Sequence, residues 1–92
     1  SVTVFMRLKT SQHNYEWLES FSKAVERMEE VVEFYRMSGE IDYLLRVVVP
    51  DIAAYDGVYK RLIAAVEFFD VSSSFAMERI KYTTALPVRY AK

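Results

Sequence analysis

The sequence predicts one α+β domain, residues 1–92, in the order strand, helix, strand, strand, helix, strand. Four segments are rich in β-branched and aromatic residues, and two segments between them repeat apolar residues every three or four positions. The clearest signal is a hairpin, because two strand-like segments, residues 31–37 and 42–49, are joined by only four residues. Gly39 in this connector can adopt the positive φ that tight connections commonly need.

The first strand and the first helix follow from their apolar spacing. In residues 2–8 every second residue is apolar, which is typical of a strand with one buried face: Val2, Val4, Met6 and Leu8. Asn14 can cap a helix at about residues 15–28. The predicted buried stripe of that helix comprises Leu18, Phe21, Val25 and Met28.

The second strand of the hairpin is apolar on both faces. One face carries Tyr43, Leu45, Val47 and Val49, and the other carries Leu44 and Val48 around Arg46. A sheet that is apolar on both faces must be covered on both, and a chain of 92 residues is too short to supply both covers. The pattern therefore predicts self-association.

The remaining segments complete the βαββαβ order. Asp51 follows Pro50 and can cap a second helix, whose predicted buried stripe is Tyr55, Val58, Leu62 and Ala65. Residues 69–82 return to an alternating pattern and predict the last strand. This order predicts a ferredoxin-like sandwich: a four-stranded antiparallel sheet with two helices on one face, and a second protomer on the other in a sheet-to-sheet dimer.

Composition excludes several kinds of function. Twelve basic and thirteen acidic residues give a net charge of −1, which lacks the basic surface that nucleic-acid binding requires. Without cysteine the chain has no thiolate nucleophile or thiolate metal site, and a reducing compartment, the cytoplasm, is expected. No phosphate loop or dinucleotide fingerprint is present, so no cofactor is predicted. No apolar run is long enough for a membrane span.

Three groups of polar residues are candidate functional features. His13, the single histidine, precedes the helix cap and is more simply an exposed polar residue than a catalytic base or metal ligand. Residues 38–42 are read either as turn chemistry or as a site in which turn amides and Ser38 bind a carboxylate while Asp42 binds an ammonium group. The run Ser72, Ser73 and Ser74 either begins a strand or lines a small polar pocket.

Three successive segments of the chain carry a resemblance to a known family: VVEFYRMSGEIDYLLRVVVPD, the second helix, and VSSSFAMERIKYTTALPV. In this order they resemble the C-terminal effector-binding (RAM) domain of the Lrp/AsnC family of transcription regulators. The most specific features are Gly39 and Asp42 before Tyr-Leu-Leu, then Asp51, then Ser73 to Met77 with Lys81. Two departures stand out: the chain has Val66-Glu67 where the family often has Pro-Gly, and nothing in it resembles a helix-turn-helix.

The resemblance implies a ferredoxin-like domain that forms dimers, and dimers that assemble into rings, commonly octamers. It also implies a small effector, usually an amino acid, bound between dimers near the hairpin turn. The residues implied are Met37, Ser38, Gly39 and Asp42, with Ser73 and Ser74 as supporting or facing-subunit candidates. DNA would then be contacted only through a helix-turn-helix, so the chain is expected to be a stand-alone effector domain or a fragment of a longer regulator.

The sequence is also compatible with two other functions. One is a small enzyme of the dimeric ferredoxin-like barrel type, a monooxygenase or isomerase, with His13 as its acid/base group. The other is an assembly domain that binds no ligand. The preferred hypothesis is a non-enzymatic sensor in which effector binding between subunits shifts the assembly state.

Overall fold

The computed structural model describes residues 1–65 and 70–89, and these form six regular elements. In chain order they are β1 (Val2–Lys9), α1 (Tyr15–Glu26), β2 (Val31–Arg36), β3 (Tyr43–Val49), α2 (Ile52–Ala65) and β4 (Asp70–Phe75). The strands form one sheet in the order β2-β3-β1-β4, and each neighbouring pair is antiparallel. The predicted ferredoxin-like βαββαβ fold is confirmed.

The core lies between one face of the sheet and both helices. Strand residues on this face alternate with residues of the opposite face, as the period of two predicts. The buried strand residues are Val4, Met6, Leu8, Tyr43, Leu45, Val47 and Val49, and the helices add Phe21, Val25, Val58 and Leu62. Both helices therefore cover the same face. The residues predicted to form the apolar faces of the two helices are buried or half-buried, except Ala65, which is exposed at the end of α2.

Both helices begin where a side chain caps them. Asn14 accepts a hydrogen bond from the Trp17 amide at 2.7 Å, and Asp51 accepts one from the Ala54 amide at 2.8 Å. These bonds satisfy amides that have no partner in the first helical turn. Helix α1 ends at Glu26, two residues before the predicted end, and Met28 is buried in the connection to β2.

Replacing Asp51 with alanine should lower the free energy of unfolding by about 1 kcal/mol, because the Ala54 amide loses its acceptor. Urea titration followed by circular dichroism measures this difference. The control is Asp51→Ser, which retains a capping oxygen and should lose much less. Equal losses in the two variants would contradict a capping role.

The last strand is shorter than predicted. It ends at Phe75 rather than continuing to residue 82, and the Ala76 amide makes one further bond to the Thr3 carbonyl at 2.9 Å. In the β1–β4 register Val4 lies opposite Phe75, so only Thr3 and Val2 of β1 remain beyond it, and a strand that reached residue 82 would find no partner in β1 for most of its length. Residues 76–87 contain neither helix nor strand, and Met77 and Ile80 are almost fully exposed. The expected strand start at Phe69 and the Val66-Glu67 departure lie outside the described residues.

The face of the sheet away from the helices is called the open face. Its apolar residues are Phe5, Tyr35, Leu44 and Val48, which are half-buried or exposed. Its two arginines are paired within the chain: Arg7 donates to Ser74 at 2.7 Å and Arg46 to Glu33 at 2.8 Å. Glu33 compensates the charge of Arg46 if this face is covered, whereas Arg7 donates to a neutral hydroxyl, which supplies no compensating charge.

One ion pair joins the residue before β2 to α2. Arg61 Nη2 donates to Glu30 Oε2 at 2.6 Å. The hydrogen bond from Arg61 is the main cause that lowers the pKa of the Glu30 carboxyl, and the Glu30 backbone contributes next. Partial burial acts in the opposite direction.

The Glu30 pair should contribute stability that depends on pH. Its pKa is lower in the folded chain than in the unfolded one, so the contribution is fully present above the ordinary carboxyl pKa of about 4.3. It is lost as the pH falls through the lowered folded value. In urea titrations Glu30→Gln should cost about 1 kcal/mol or less at pH 7, and less at pH 3. An equal cost at both pH values would contradict this assignment.

In the described ranges, neither helix has the length and apolar character needed to cross a membrane.

Candidate functional site

A cavity of about 400 Å³ lies beside the hairpin turn, at the N-terminal end of α1. It is called the hairpin cavity. Its walls come from two parts of the chain that are distant in sequence: the β2–β3 hairpin beside its turn, and the β1–α1 connection with the first turn of α1. The lining residues are His13, Asn14, Tyr15, Leu18, Arg36, Met37, Asp42 and Tyr43.

The hairpin turn is fixed by backbone hydrogen bonds. The Met37 amide donates to the Asp42 carbonyl at 2.8 Å and closes the turn. Gly39 has φ +107°, the positive value predicted for it. The Asp42 amide donates to the Leu8 carbonyl at 2.9 Å, which ties the turn to the end of β1. The turn is therefore held on both sides, by its own closure and by the neighbouring strand.

The Asp42 side chain joins the hairpin to the β1–α1 connection. Its Oδ2 accepts a hydrogen bond from the amide of Thr10, a buried residue, at 2.9 Å. The Thr10 hydroxyl in turn accepts one from the Gln12 amide at 2.9 Å. These bonds hold the connection that carries His13 against the hairpin. Asp42 thus has a structural bond through one oxygen while it also lines the cavity.

Tyr43 lines the cavity and lies near two opposite charges. Arg36 is its partner in the β2–β3 ladder, and Asp42 directly precedes it. Burial is the main cause that raises the pKa of the Tyr43 phenol, the Arg36 charge lowers it, and the Asp42 charge raises it. A raised phenol pKa keeps Tyr43 neutral at physiological pH and therefore able to donate a hydrogen bond.

Two of the six predicted site residues line this cavity. They are Met37 and Asp42, whereas Ser38 and Gly39 lie at the exposed tip of the turn. Ser73 and Ser74 are on β4, at the opposite edge of the sheet from the hairpin. They also face opposite ways, because Ser73 bonds to the Tyr55 hydroxyl on the helix side and Ser74 to Arg7 on the open face. Within one chain, therefore, the serine run does not line one pocket.

Sequence reasoning missed Arg36 and Tyr43 as cavity residues and considered His13 only as a catalytic group or metal ligand. The hairpin register was the available signal, since it places Arg36 opposite Tyr43. The proximity of His13 had no local signal, because it depends on β1 pairing with β3. In the described ranges, no three histidine, aspartate or glutamate side chains come together as a metal-binding group.

A larger cleft of about 830 Å³ lies between the open face and residues 76–82. Its charged strand residues, Glu33 and Arg46, already pair with each other. The segment that forms its other wall carries the exposed Met77 and Ile80. These features are typical of a surface that another protein covers. The hairpin cavity is the better candidate for a small ligand, because its charges lie around a recess and Arg36 has no ion pair among the described residues.

Comparisons with known proteins agree with this fold. The family model described as the Lrp/AsnC ligand binding domain matches residues 3–86. The DNA-binding transcriptional activator DecR of Escherichia coli K12 is 52% identical over 88 residues, which are 95% of this chain and 58% of DecR. The chain thus spans little more than half the length of that relative.

Two solved structures are similar over nearly the whole chain. An AsnC family transcriptional regulator from Agrobacterium tumefaciens is 66% identical, with a TM-score of 0.89, over 97% of this chain and 58% of that one. A transcriptional regulator from Neisseria meningitidis, solved as an L-Met complex, is 30% identical, with a TM-score of 0.88, over 98% of this chain and 58% of that one. The relatives named here are transcription regulators, and none of their names describes a catalytic activity. By its sequence and its fold, the chain belongs to the Lrp/AsnC family and contains that family's ligand-binding domain.

Proposed function

We propose that this chain is the amino-acid-sensing and assembly domain of a transcription regulator, and that the hairpin cavity receives the effector. The observation that carries the proposal is the presence of Arg36, Asp42 and the Tyr43 phenol in the lining of one recess, with both charges close enough to act on the phenol. A guanidinium and a carboxylate are complementary to the carboxylate and the ammonium of an α-amino acid. The L-Met complex of the Neisseria relative supports the same class of ligand.

The proposed roles follow from the chemistry of each lining group. Asp42 Oδ1, which has no hydrogen bond among the described residues, accepts from the ammonium group, while Oδ2 retains the Thr10 amide. Arg36 and the Tyr43 hydroxyl bind the carboxylate, a role that the sequence alone assigned to Ser38 and the turn amides. Met37 contacts the effector side chain. Ser38 and Gly39 lie at the exposed tip, where a second dimer would close the cavity.

Assembly is proposed to proceed through the open face. Phe5, Leu44 and Val48 form its apolar centre, Arg46 is ion-paired with Glu33, and Arg7 is hydrogen-bonded to Ser74. Two copies that pack these faces together would form a sheet-to-sheet dimer, and dimers would then meet at their hairpins in a ring, commonly an octamer. Ser73 and Ser74 would reach an effector site only from a facing subunit.

Coupling between effector and assembly follows from where the effector lies. A ligand held between subunits has a higher affinity for the assembly that supplies its contacts, and it shifts the equilibrium by that difference. A coupling free energy of about 1–3 kcal/mol is enough to change occupancy at promoters. DNA contact is assigned to a helix-turn-helix domain, since residues 1–92 carry a net charge of −1. The proposal gives the chain no catalytic role.

The test is thermal unfolding of the purified chain against a panel of free amino acids. A ligand at about 100 times its dissociation constant adds roughly 2.7 kcal/mol to the free energy of unfolding, so an effector should raise the midpoint by several degrees. No shift for any amino acid would contradict the proposed function. A shift for one or a few amino acids would support it and name the effector class.

Asp42→Asn should abolish that shift and leave the stability of the free chain nearly unchanged. The amide oxygen can still accept from the Thr10 amide, but the charge that binds the ammonium is lost. Asp42→Ala should abolish binding and also lower the free energy of unfolding by about 1–3 kcal/mol, because the Thr10 amide is left without an acceptor. The matched control is Asp56→Asn on α2, which removes an exposed carboxylate away from the cavity. An unchanged effector affinity in Asp42→Asn, measured by calorimetry, would reject the role of Asp42.

A further inference from the structure

Two basic side chains at the hairpin cavity have no partner in residues 1–65 and 70–89. They are Arg36 and His13, neither of which makes a side-chain hydrogen bond or ion pair with these residues. Several other basic side chains do reach a carboxylate: Lys23, Arg46, Lys60 and Arg61. The cavity thus combines two unpaired nitrogen donors with the single carboxylate of Asp42.

This donor set exceeds what a neutral amino acid needs. The ammonium and the α-carboxylate of any amino acid pair with Asp42 and Arg36, and the imidazole of His13 is left over. A ligand with a second carboxylate gives the imidazole a partner as well. Hydrogen bonds to an ionised carboxylate are roughly twice as strong as those between neutral groups. The second carboxylate should therefore produce a clear difference in affinity.

The walls of the cavity suit the rest of such a ligand. A volume of about 400 Å³ is in the range of small-molecule sites, which is about 300–1,000 Å³. Leu18 and Met37 supply apolar surface for the methylene groups between the two ends of an acidic amino acid. His13 lies on the β1–α1 connection, while Arg36 and Asp42 belong to the hairpin, so the two carboxylates would meet different walls.

We infer that the hairpin cavity selects an acidic amino acid, with its side-chain carboxylate bound by His13. This inference rests on the proposed function and adds the class of effector to it. His13 acts here as a specificity-determining residue in binding, and no proton transfer or turnover is involved.

The test compares L-glutamate with L-glutamine by calorimetry on the purified 92-residue chain, because the two are close in shape and differ in side-chain charge. Glutamate should bind about ten-fold more tightly or better, which corresponds to one charge-assisted contact. In His13→Ala the ratio of the two affinities should fall to about one, with the affinity for glutamine unchanged. His13→Lys, which places a cationic donor at this position, should restore the preference for glutamate.

The control for overall charge is Arg27→Ala at the far end of α1, which should leave the ratio unchanged. Equal affinities for glutamate and glutamine in the wild-type chain, or a preference for glutamine, would overturn the inference and leave the proposed amino-acid sensor intact. A preference for glutamate that survives His13→Ala would also overturn it, since another group would then bind the carboxylate. Failure of every amino acid in the panel to bind would reject both the inference and the proposed function.

Discussion

Replacing Phe21 with alanine should destabilise the chain by about 3–5 kcal/mol, the usual cost of removing a buried phenylalanine. The Phe21 ring is fully buried on α1 and meets Phe34 edge-on, with ring centroids 5.0 Å apart. It meets Tyr43 in the same way at 5.4 Å. Alanine would remove the apolar contact and leave a cavity between the helix and the β2–β3 hairpin. The free energy of unfolding of a small domain is only about 5–15 kcal/mol in total, so this one substitution would remove a large part of it.

Urea unfolding at fixed protein concentration measures the loss. The matched control is Phe75→Ala at the end of β4, where the ring is 39% exposed, contacts Tyr55 from one side and should cost clearly less. Because Tyr43 lines the hairpin cavity, Phe21→Ala should also weaken effector binding in the molecules that remain folded. If Phe21→Ala and Phe75→Ala were equally destabilising, the core would not be centred on the α1 aromatic cluster.

Two adjacent leucines should respond in opposite ways to a charge. Leu45 is fully buried under the helices, so Leu45→Asp would bury an unpaired carboxylate at a cost of several kcal/mol and should unfold the chain. Leu44 points to the open face and is half-buried in the single chain. Leu44→Asp should therefore leave the chain folded and dissociate the proposed sheet-to-sheet dimer.

Circular dichroism reports folding, and sedimentation velocity reports the assembly state of both variants. Ile63→Asp serves as the control, because Ile63 is 48% exposed on α2 and lies away from the open face. It should keep both the fold and the dimer. A dimer that persisted in Leu44→Asp would show that the open face is not the interface.

Features that depend on a few neighbouring residues were predictable from the sequence. The caps at Asn14 and Asp51 need only a polar side chain three residues before an unsatisfied amide. The turn needs one residue that tolerates positive φ, and Gly39 provides it. The alternation in β1 and β3 fixed which side chains are buried, because the side-chain period of a strand is two.

The predictions that were wrong concern residues whose structure depends on contacts with parts of the chain that are distant in sequence. The alternating pattern continues past Phe75, yet only Thr3 and Val2 of β1 lie beyond the Val4–Phe75 pair, so β1 is too short to pair with a strand that reaches residue 82. Ala65 fits the helical spacing of the buried stripe but is exposed at the end of α2. The three serines look like one polar group in sequence, but a strand turns neighbours to opposite faces, and Ser73 and Ser74 bond on opposite sides of the sheet.

The sequence by itself determined the element order, the two-faced sheet, the family and the hairpin half of the candidate site, Met37 and Asp42. The element order, the two-faced sheet and the choice of Asp42 follow from local periodicity and turn chemistry, which act over a few residues, whereas the family and Met37 were implied by the resemblance of the motifs. Only the tertiary structure decided that His13 faces the same cavity as Arg36. That meeting requires β1 to pair with β3 and the Asp42 carboxylate to hold the Thr10 amide across 32 residues of chain. Such contacts depend on the whole packed sheet, and no local pattern encodes them.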